Sequence, residues 1–295
     1  MINLINEKEI NVLTKRIGGI GLSFLFNQDA FEFGGEAVID EFTPDIQAEI
    51  KLRVNLDDFP GTRREEKIFD SKSTWSLYRS QKKYFLYDCS LALDSLPSKL
   101  LILEPDFKSG EIFIRDGGSS QNLFPDPLGH PLNQIFMIIL LSFRKGALFH
   151  ACGIDDESSG YLFLGNSGHG KSTIARIWFE NKATVLNDDR IIAREKDGGI
   201  WMYGTPWHGS FGELSLKGMP ISKIFFLRKG ERNSAVRKED NEAVSMLLTR
   251  GFFPFWDKEG MGNNVSLCHA LVSKIPCYEL TFVPDRDIIE FVRNI

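Results

Sequence analysis

Residues 161–180 read Tyr161-Leu162-Phe163-Leu164-Gly165-Asn166-Ser167-Gly168-His169-Gly170-Lys171-Ser172-Thr173-Ile174-Ala175-Arg176-Ile177-Trp178-Phe179-Glu180. An apolar run of strand length enters a glycine loop, and a helical pattern leaves it, with Ile174, Ala175, Ile177 and Trp178 on the apolar side. The spacing Gly165-x-x-x-x-Gly170-Lys171-Ser172 is the Walker A pattern, set between the strand and the helix that this pattern requires. The chemistry dictates the spacing. Glycines let the backbone turn its N–H groups toward phosphates with no side chain in the way. A helix starting at Lys171 adds a partial positive charge of about half a unit. Lys171 can reach β- and γ-phosphates, and the Ser172 hydroxyl can bind Mg²⁺. Gly165 to Thr173 are therefore the expected nucleotide-binding residues, with His169 facing solvent; the bland alternative is a glycine-rich turn with an incidental lysine.

Downstream, Ala183-Thr184-Val185-Leu186 reads as a strand that ends in Asn187-Asp188-Asp189-Arg190. A Walker B element is an apolar strand ending in a carboxylate near Mg²⁺, and Asp188 stands 17 residues after Lys171, one helix and one turn away. One aspartate of the pair can hold the metal while its neighbour faces an acceptor; two carboxylates this close are expected to titrate apart. A solvated Asp-Asp turn is the alternative.

Composition bounds the rest. The chain has 295 residues, 42% hydrophobic and 25% charged, which suits one large globular domain or two modest ones. A net charge of -5 offers no broad basic field for a nucleic-acid backbone; Arg63-Arg64 reads as a solvated loop. Cys89, Cys152, Cys268 and Cys277 are scattered without a CxxC pair, which points to buried free thiols in a reducing compartment. The N-terminus carries acids and lacks a signal-type apolar run, and the most apolar stretch, Ile135 to Ser142, is too short to span a bilayer. The expected location is the cytoplasm, away from membranes.

The first 125 residues read as strand-rich, with short runs at Ile20–Phe24, Ala48–Leu52, Trp75–Tyr78, Tyr84–Tyr87, Leu100–Leu103 and Glu111–Ile114 separated by turns such as Pro105-Asp106 and Asp116-Gly117-Gly118. An antiparallel sheet is expected there. Pro125, Pro127 and Pro131 mark a boundary, giving a region 1–125 and a second, α/β region 126–295. Leu132 to Arg144 then reads as a helix that Gly146 can end. Strands follow at Ala147–Ile154 and Gly160–Leu164, then the glycine loop, its helix and the next strand. Ile191–Ala193 and Ile200–Tyr203 form a hairpin over Lys196-Asp197-Gly198-Gly199, and Gly204–Lys217 is a glycine-rich loop. The tail holds a strand at Ile221–Leu227, helices near Glu242–Leu248 and Val265–Ser273, a strand at Tyr278–Phe282 and a helix near Asp287–Arg293.

The stretch from Phe149-His150 through the glycine loop to Asp188-Asp189-Arg190 resembles the kinase domain of HPr kinase/phosphorylase and of ATP-dependent phosphoenolpyruvate carboxykinases. It is more similar still to HPr-kinase-like proteins of peptide-modification clusters, including lasso-peptide kinases, and Tyr203-Gly204-Thr205-Pro206-Trp207-His208-Gly209 is typical of that group. The resemblance covers about residues 147–230 and implies a P-loop kinase fold there; the strand-rich region before it does not look like the family's regulatory domain and is expected to serve a substrate or partner. It implies ATP and Mg²⁺ as cofactors. Lys171 would neutralise phosphates and Ser172 would bind the metal with Asp189. Asp188 would take the acceptor's proton, and His150 would lie beside the phosphates, unless it is a core histidine. Arg190 would bind phosphate or tie the loop to an aspartate, and His208 would lie over a ligand or in a packed turn. His130 and His269 read as structural or surface residues. The family's later signature, with its glutamate and arginine, is replaced by Gly209-Ser210-Phe211-Gly212-Glu213-Leu214-Ser215-Leu216-Lys217-Gly218-Met219-Pro220, which puts phosphorylase activity and HPr as substrate in doubt.

The expectation is a Mg²⁺-dependent serine kinase acting on a protein or peptide. The alternatives are a small-molecule or carboxykinase-like phosphoryl transferase, and a nucleotide-binding regulator without turnover.

Overall fold

The computed structural model describes residues 11–26, 47–56, 59–60, 65–90, 96–115, 127–207 and 209–295. Arg63-Arg64, Asp116-Gly117-Gly118, His208 and the expected boundary at 125/126 lie outside them. The chain divides into two compact units, Met1–Arg16 with Ile20–Phe136, and Ile17–Gly19 with Met137–Ile295.

The first unit is built on strands β1 (Asn11–Ile17), β2 (Ile20–Phe26), β3 (Ile50–Leu56), β4 (Glu66–Asp70), β5 (Trp75–Ser80), β6 (Lys83–Asp88), β7 (Lys99–Leu103) and β8 (Ser109–Ile114). They form an eight-stranded sheet in the order β1-β2-β3-β8-β7-β6-β5-β4. Alternation decides its faces. Ile50, Leu52 and Val54 of β3 are buried while Lys51 and Arg53 between them are exposed. The sheet is mixed rather than antiparallel, because β3 runs parallel to both β2 and β8. Short loops force β4 to β8 into antiparallel pairs. Residues 27–49 separate β2 from β3, and a connection of that length permits a parallel crossover.

Helix α1 (Leu132–Phe143) spans the division between the units. Gly146 does not cap it: Lys145, at φ 52°, makes the turn, and Gly146 is the first residue of β9 (Gly146–Asp156). A two-residue turn through Glu157 and Ser158, both at positive φ, returns the chain as β10 (Ser159–Leu164). Then come α2 (Lys171–Glu180), β11 (Thr184–Asn187), β12 (Arg190–Lys196), β13 (Gly199–Gly204), β14 (Gly218–Pro220), β15 (Lys223–Lys229) and β16 (Ser234–Arg237). The chain ends with α3 (Asp240–Leu248), β17 (Gly251–Phe252), α4 (Lys258–Lys274), β18 (Cys277–Phe282) and α5 (Asp287–Arg293).

These strands form a ten-stranded sheet in which β9 is central. Its first half pairs with β12 and β17, and its second half with β11 and β10. Because β10 and β11 both run antiparallel to β9, they are parallel to each other with one strand between, so β10–loop–α2–β11 is a crossover unit. Both faces are covered, which explains the unbroken apolar run of β10. Tyr161 and Phe163 point to a core with Ile174, Ala175 and Trp178 of α2 and Ile288 and Val292 of α5. Leu162 and Leu164 point to a second core with Leu247 of α3 and Leu267 and Leu271 of α4. The α2 seam is aromatic: the Trp178 ring lies 5.5 Å from Tyr161 and 6.3 Å from Phe163. Cys152, Cys268 and Cys277 are buried free thiols, whereas Cys89 is part-exposed. Burial pushes the Cys268 and Cys277 thiols up to about 12. No helix among the described residues is long and apolar enough to cross a membrane.

Candidate functional site

The glycine loop joins the end of β10 to the start of α2. Gly170 takes φ 94°, and a Cβ there would lie 2.6 Å from the Phe282 ring, so position and conformation both demand glycine. The loop is pinned from outside by His169, whose Nδ1 donates to the Leu227 carbonyl of β15, 3.1 Å away. His169 is thus half-buried rather than solvent-facing, because the loop curls back over the parallel strand. Lys171 is buried. Its ammonium donates to the carbonyls of Gly165 (2.8 Å) and Asn166 (3.2 Å) and to His150 Nε2 (2.8 Å). Burial lowers its pKa, with the negative charge of Asp189 acting in the opposite direction.

His150 reaches the loop because β9 pairs with β12, which places it directly opposite Arg190. Its Nδ1 lies 2.8 Å from Asp189 Oδ1, and a carboxylate only accepts, so Nδ1 carries the proton. Nε2 then accepts from Lys171. The result is a hydrogen-bonded chain Asp189–His150–Lys171 with the imidazole at its centre. Arg190 Nη1, 3.2 Å from the same Nδ1, cannot bond to it, since both are donors; it is held by Asp189 Oδ2 at 2.5 Å. Burial by itself would raise the Asp189 pKa, but the His150 hydrogen bond and the Arg190 charge outweigh it and hold the carboxyl below its ordinary range. The Arg190 guanidinium also lies over the Phe252 ring of β17, 4.3 Å from its centre.

Asp188 is 2% exposed and faces α2. Its Oδ2 accepts from the Ser172 hydroxyl at 2.7 Å. The segment Gly209–Phe211 straps across it, with Gly209 N donating to Oδ1 (2.9 Å), Phe211 N to Oδ2 (3.2 Å), and the Ser210 hydroxyl lying 3.2 Å from Ser172 Oγ. A Cβ on Gly209 would sit 2.9 Å from Asp188 Oδ2 and 3.1 Å from Asp189 Cβ, so only glycine lets the strap approach.

The two aspartates therefore face different partners: Asp188 meets Ser172, and Asp189 meets His150 and Arg190. Ser172 and Asp188 offer hard oxygens at the spacing of neighbouring ligands, the kind of donors Mg²⁺ takes once phosphates and water supply the rest. Among the described residues no group of three or more His, Cys, Asp or Glu side chains is placed to hold a metal alone.

Asn187 is the residue that sequence reading passed over. It is fully buried; Oδ1 accepts from the N–H groups of Asp189 (2.8 Å) and Arg190 (2.9 Å), while Nδ2 donates to the carbonyls of Thr205 (2.9 Å) and Trp207 (3.2 Å). An Asn ahead of an Asp pair at a strand end was the available signal, since Asn commonly caps amides two residues on. His130 and His269 are exposed.

No protein-family model matches this chain, and no curated protein matches it. Among solved structures it is similar to the HPr(Ser) kinase/phosphatase from Coxiella burnetii, at 14% identity and a TM-score of 0.31, over 50% of this chain and 94% of that one.

Proposed function

We propose that this chain is a Mg²⁺-dependent phosphotransferase that binds ATP on the Gly165–Thr173 loop and moves its γ-phosphoryl group to a hydroxyl, a serine of a protein or peptide. The observation that carries the reading is the convergence of Lys171 and Ser172, from the start of one helix, on Asp189 and Asp188 respectively, by way of His150 in one case and directly in the other.

The loop amides and the start of α2 would cradle the phosphates. Lys171 would exchange its bonds to the Gly165 and Asn166 carbonyls for phosphate oxygens. Ser172 and Asp188 would hold Mg²⁺, which supplies neutralisation of the charge that develops on the phosphates. With Asp188 so engaged and buried, the geometry favours exchanging the two roles expected from the family. Asp189, about a quarter exposed and backed by His150, is then the group that accepts the proton of the acceptor hydroxyl. Arg190 keeps that carboxylate in place.

The test is transfer of labelled γ-phosphate from ATP, with Mg²⁺, to a panel of serine peptides and to HPr. Label on a serine, lost in Lys171→Ala and Asp189→Asn, is the expected result. Tight ATP binding with no release or transfer of γ-phosphate would overturn the phosphotransferase reading in favour of a nucleotide-binding regulator.

A further inference from the structure

The strap across Asp188 brings a serine hydroxyl of the chain itself into the site. Ser210 Oγ lies 3.2 Å from Ser172 Oγ, the hydroxyl assigned to the metal. The amides on either side of Ser210, those of Gly209 and Phe211, are both bound to the Asp188 carboxylate, so the serine is presented by its own backbone. It is exposed, and Gly212, where a Cβ would meet nothing within 4 Å, follows the Ser210-Phe211 pair. Cis ligands of an octahedral Mg²⁺ are separated by about 3 Å, given metal–oxygen distances of about 2.0–2.1 Å. The hydroxyl of Ser210 thus stands beside Ser172 Oγ, one of the two oxygens that would hold Mg²⁺.

We infer that Ser210 is phosphorylated in cis: this exposed serine, held beside Ser172 by two backbone N–H hydrogen bonds to Asp188, is an internal acceptor. The inference rests on the phosphotransferase reading above. In the step, Ser210 Oγ attacks the γ-phosphorus of ATP. The new O–P bond forms as the bond to the β,γ-bridging oxygen breaks. ADP leaves with that electron pair, and the serine proton passes to the Asp189 carboxylate, the group given that role above. The product is a phosphoserine carrying a charge of about -1.5 to -2 beside Asp188. Repulsion between the two would detach the strap and clear the space above Ser172.

The experiment is incubation of the full chain with labelled ATP and Mg²⁺, without added acceptor, followed by mass-spectrometric mapping of phosphopeptides in the wild type, which does not depend on any variant folding. The expected result is close to one phosphate per chain on Ser210, at a rate independent of protein concentration, and absent from Ser210→Ala. Wild-type protein mixed with Lys171→Ala should leave the latter unlabelled. Label on Lys171→Ala chains would overturn the cis assignment. Transfer to added peptide or to water with Ser210 unmodified would overturn the proposal and leave the phosphotransferase reading standing. Failure to turn over ATP by any route would remove both.

Discussion

Asn187 uses both ends of its side chain, one to cap the Asp189 and Arg190 amides and the other to hold the Thr205 and Trp207 carbonyls. Removing a buried side chain of this kind leaves its partners unsatisfied, at about 1–3 kcal/mol. Asn187→Ala should therefore lower stability by that order in chemical denaturation. It should also reduce the rate of phosphate transfer more than the affinity for ATP, since misplacing an aligned carboxylate by about 1 Å can cost about 100-fold. Asn187→Asp keeps the acceptor and loses the donors, so it should restore part of the rate; an alanine variant with unchanged rate and stability would show that the clamp does not matter. Asp189 makes a separate prediction through pH. Its folded pKa lies below its unfolded value, so the stability it adds is present above the ordinary carboxylate pKa and disappears as pH falls through the lowered folded one. Asp189→Asn should flatten the acid side of the stability profile in that window, as read by denaturation midpoints at a series of pH values. An acid limb identical to wild type would remove this assignment.

Helix α2 ties the loop to the sheet through one large side chain. Trp178 is fully buried between Tyr161 and Phe163 of β10, the strand that feeds the loop. Trp178→Ala should cost about 3–5 kcal/mol in denaturant unfolding, because the cavity opens where two rigid elements meet and neither can close it. A loss under about 1 kcal/mol would mean that the seam repacks. The same apolar periodicity that buries Trp178 made this region readable in the sequence: helix α1 was expected at 132–144 and runs Leu132–Phe143, and α5 matches its expected span. The sequence pattern places helix α4 only near Val265–Ser273, since Gly260 and Gly262 disfavour helix before it. It starts at Lys258 instead, where the Asp257 carboxylate caps Gly260 N at 2.9 Å. Gly260 is needed there for contact: a Cβ would lie 2.9 Å from Ser142 Oγ of α1. Strand direction in the first unit was not readable at all, because alternation reports which face is buried and nothing about which neighbour a strand takes.

At the level of the molecule, the candidate site divides by sequence distance. Lys171, Ser172 and Asp188 were legible because one helix and one turn fix their relation. The link from Lys171 through His150 to Asp189 became visible only with the pairing of β9 and β12, and the Ser210 strap only with the path of the loop after β13. Long-range pairing of this kind leaves no local spacing to recognise. The same division yields a test of ligand linkage. A nucleotide that binds the folded chain and not the unfolded one stabilises by about 2.7 kcal/mol at a hundred times its Kd. ATP with Mg²⁺ should therefore raise the melting temperature of the wild type by several degrees. Lys171→Ala should lose most of that shift, having lost the ammonium that now satisfies Gly165, Asn166 and His150. Asp188→Asn should keep a shift with ATP alone and lose the increment due to Mg²⁺ if, as proposed, the carboxylate that accepts from Ser172 holds the metal. Equal Mg²⁺ increments in wild type and Asp188→Asn would move the metal to Asp189 and return the two aspartates to the roles the family resemblance implies.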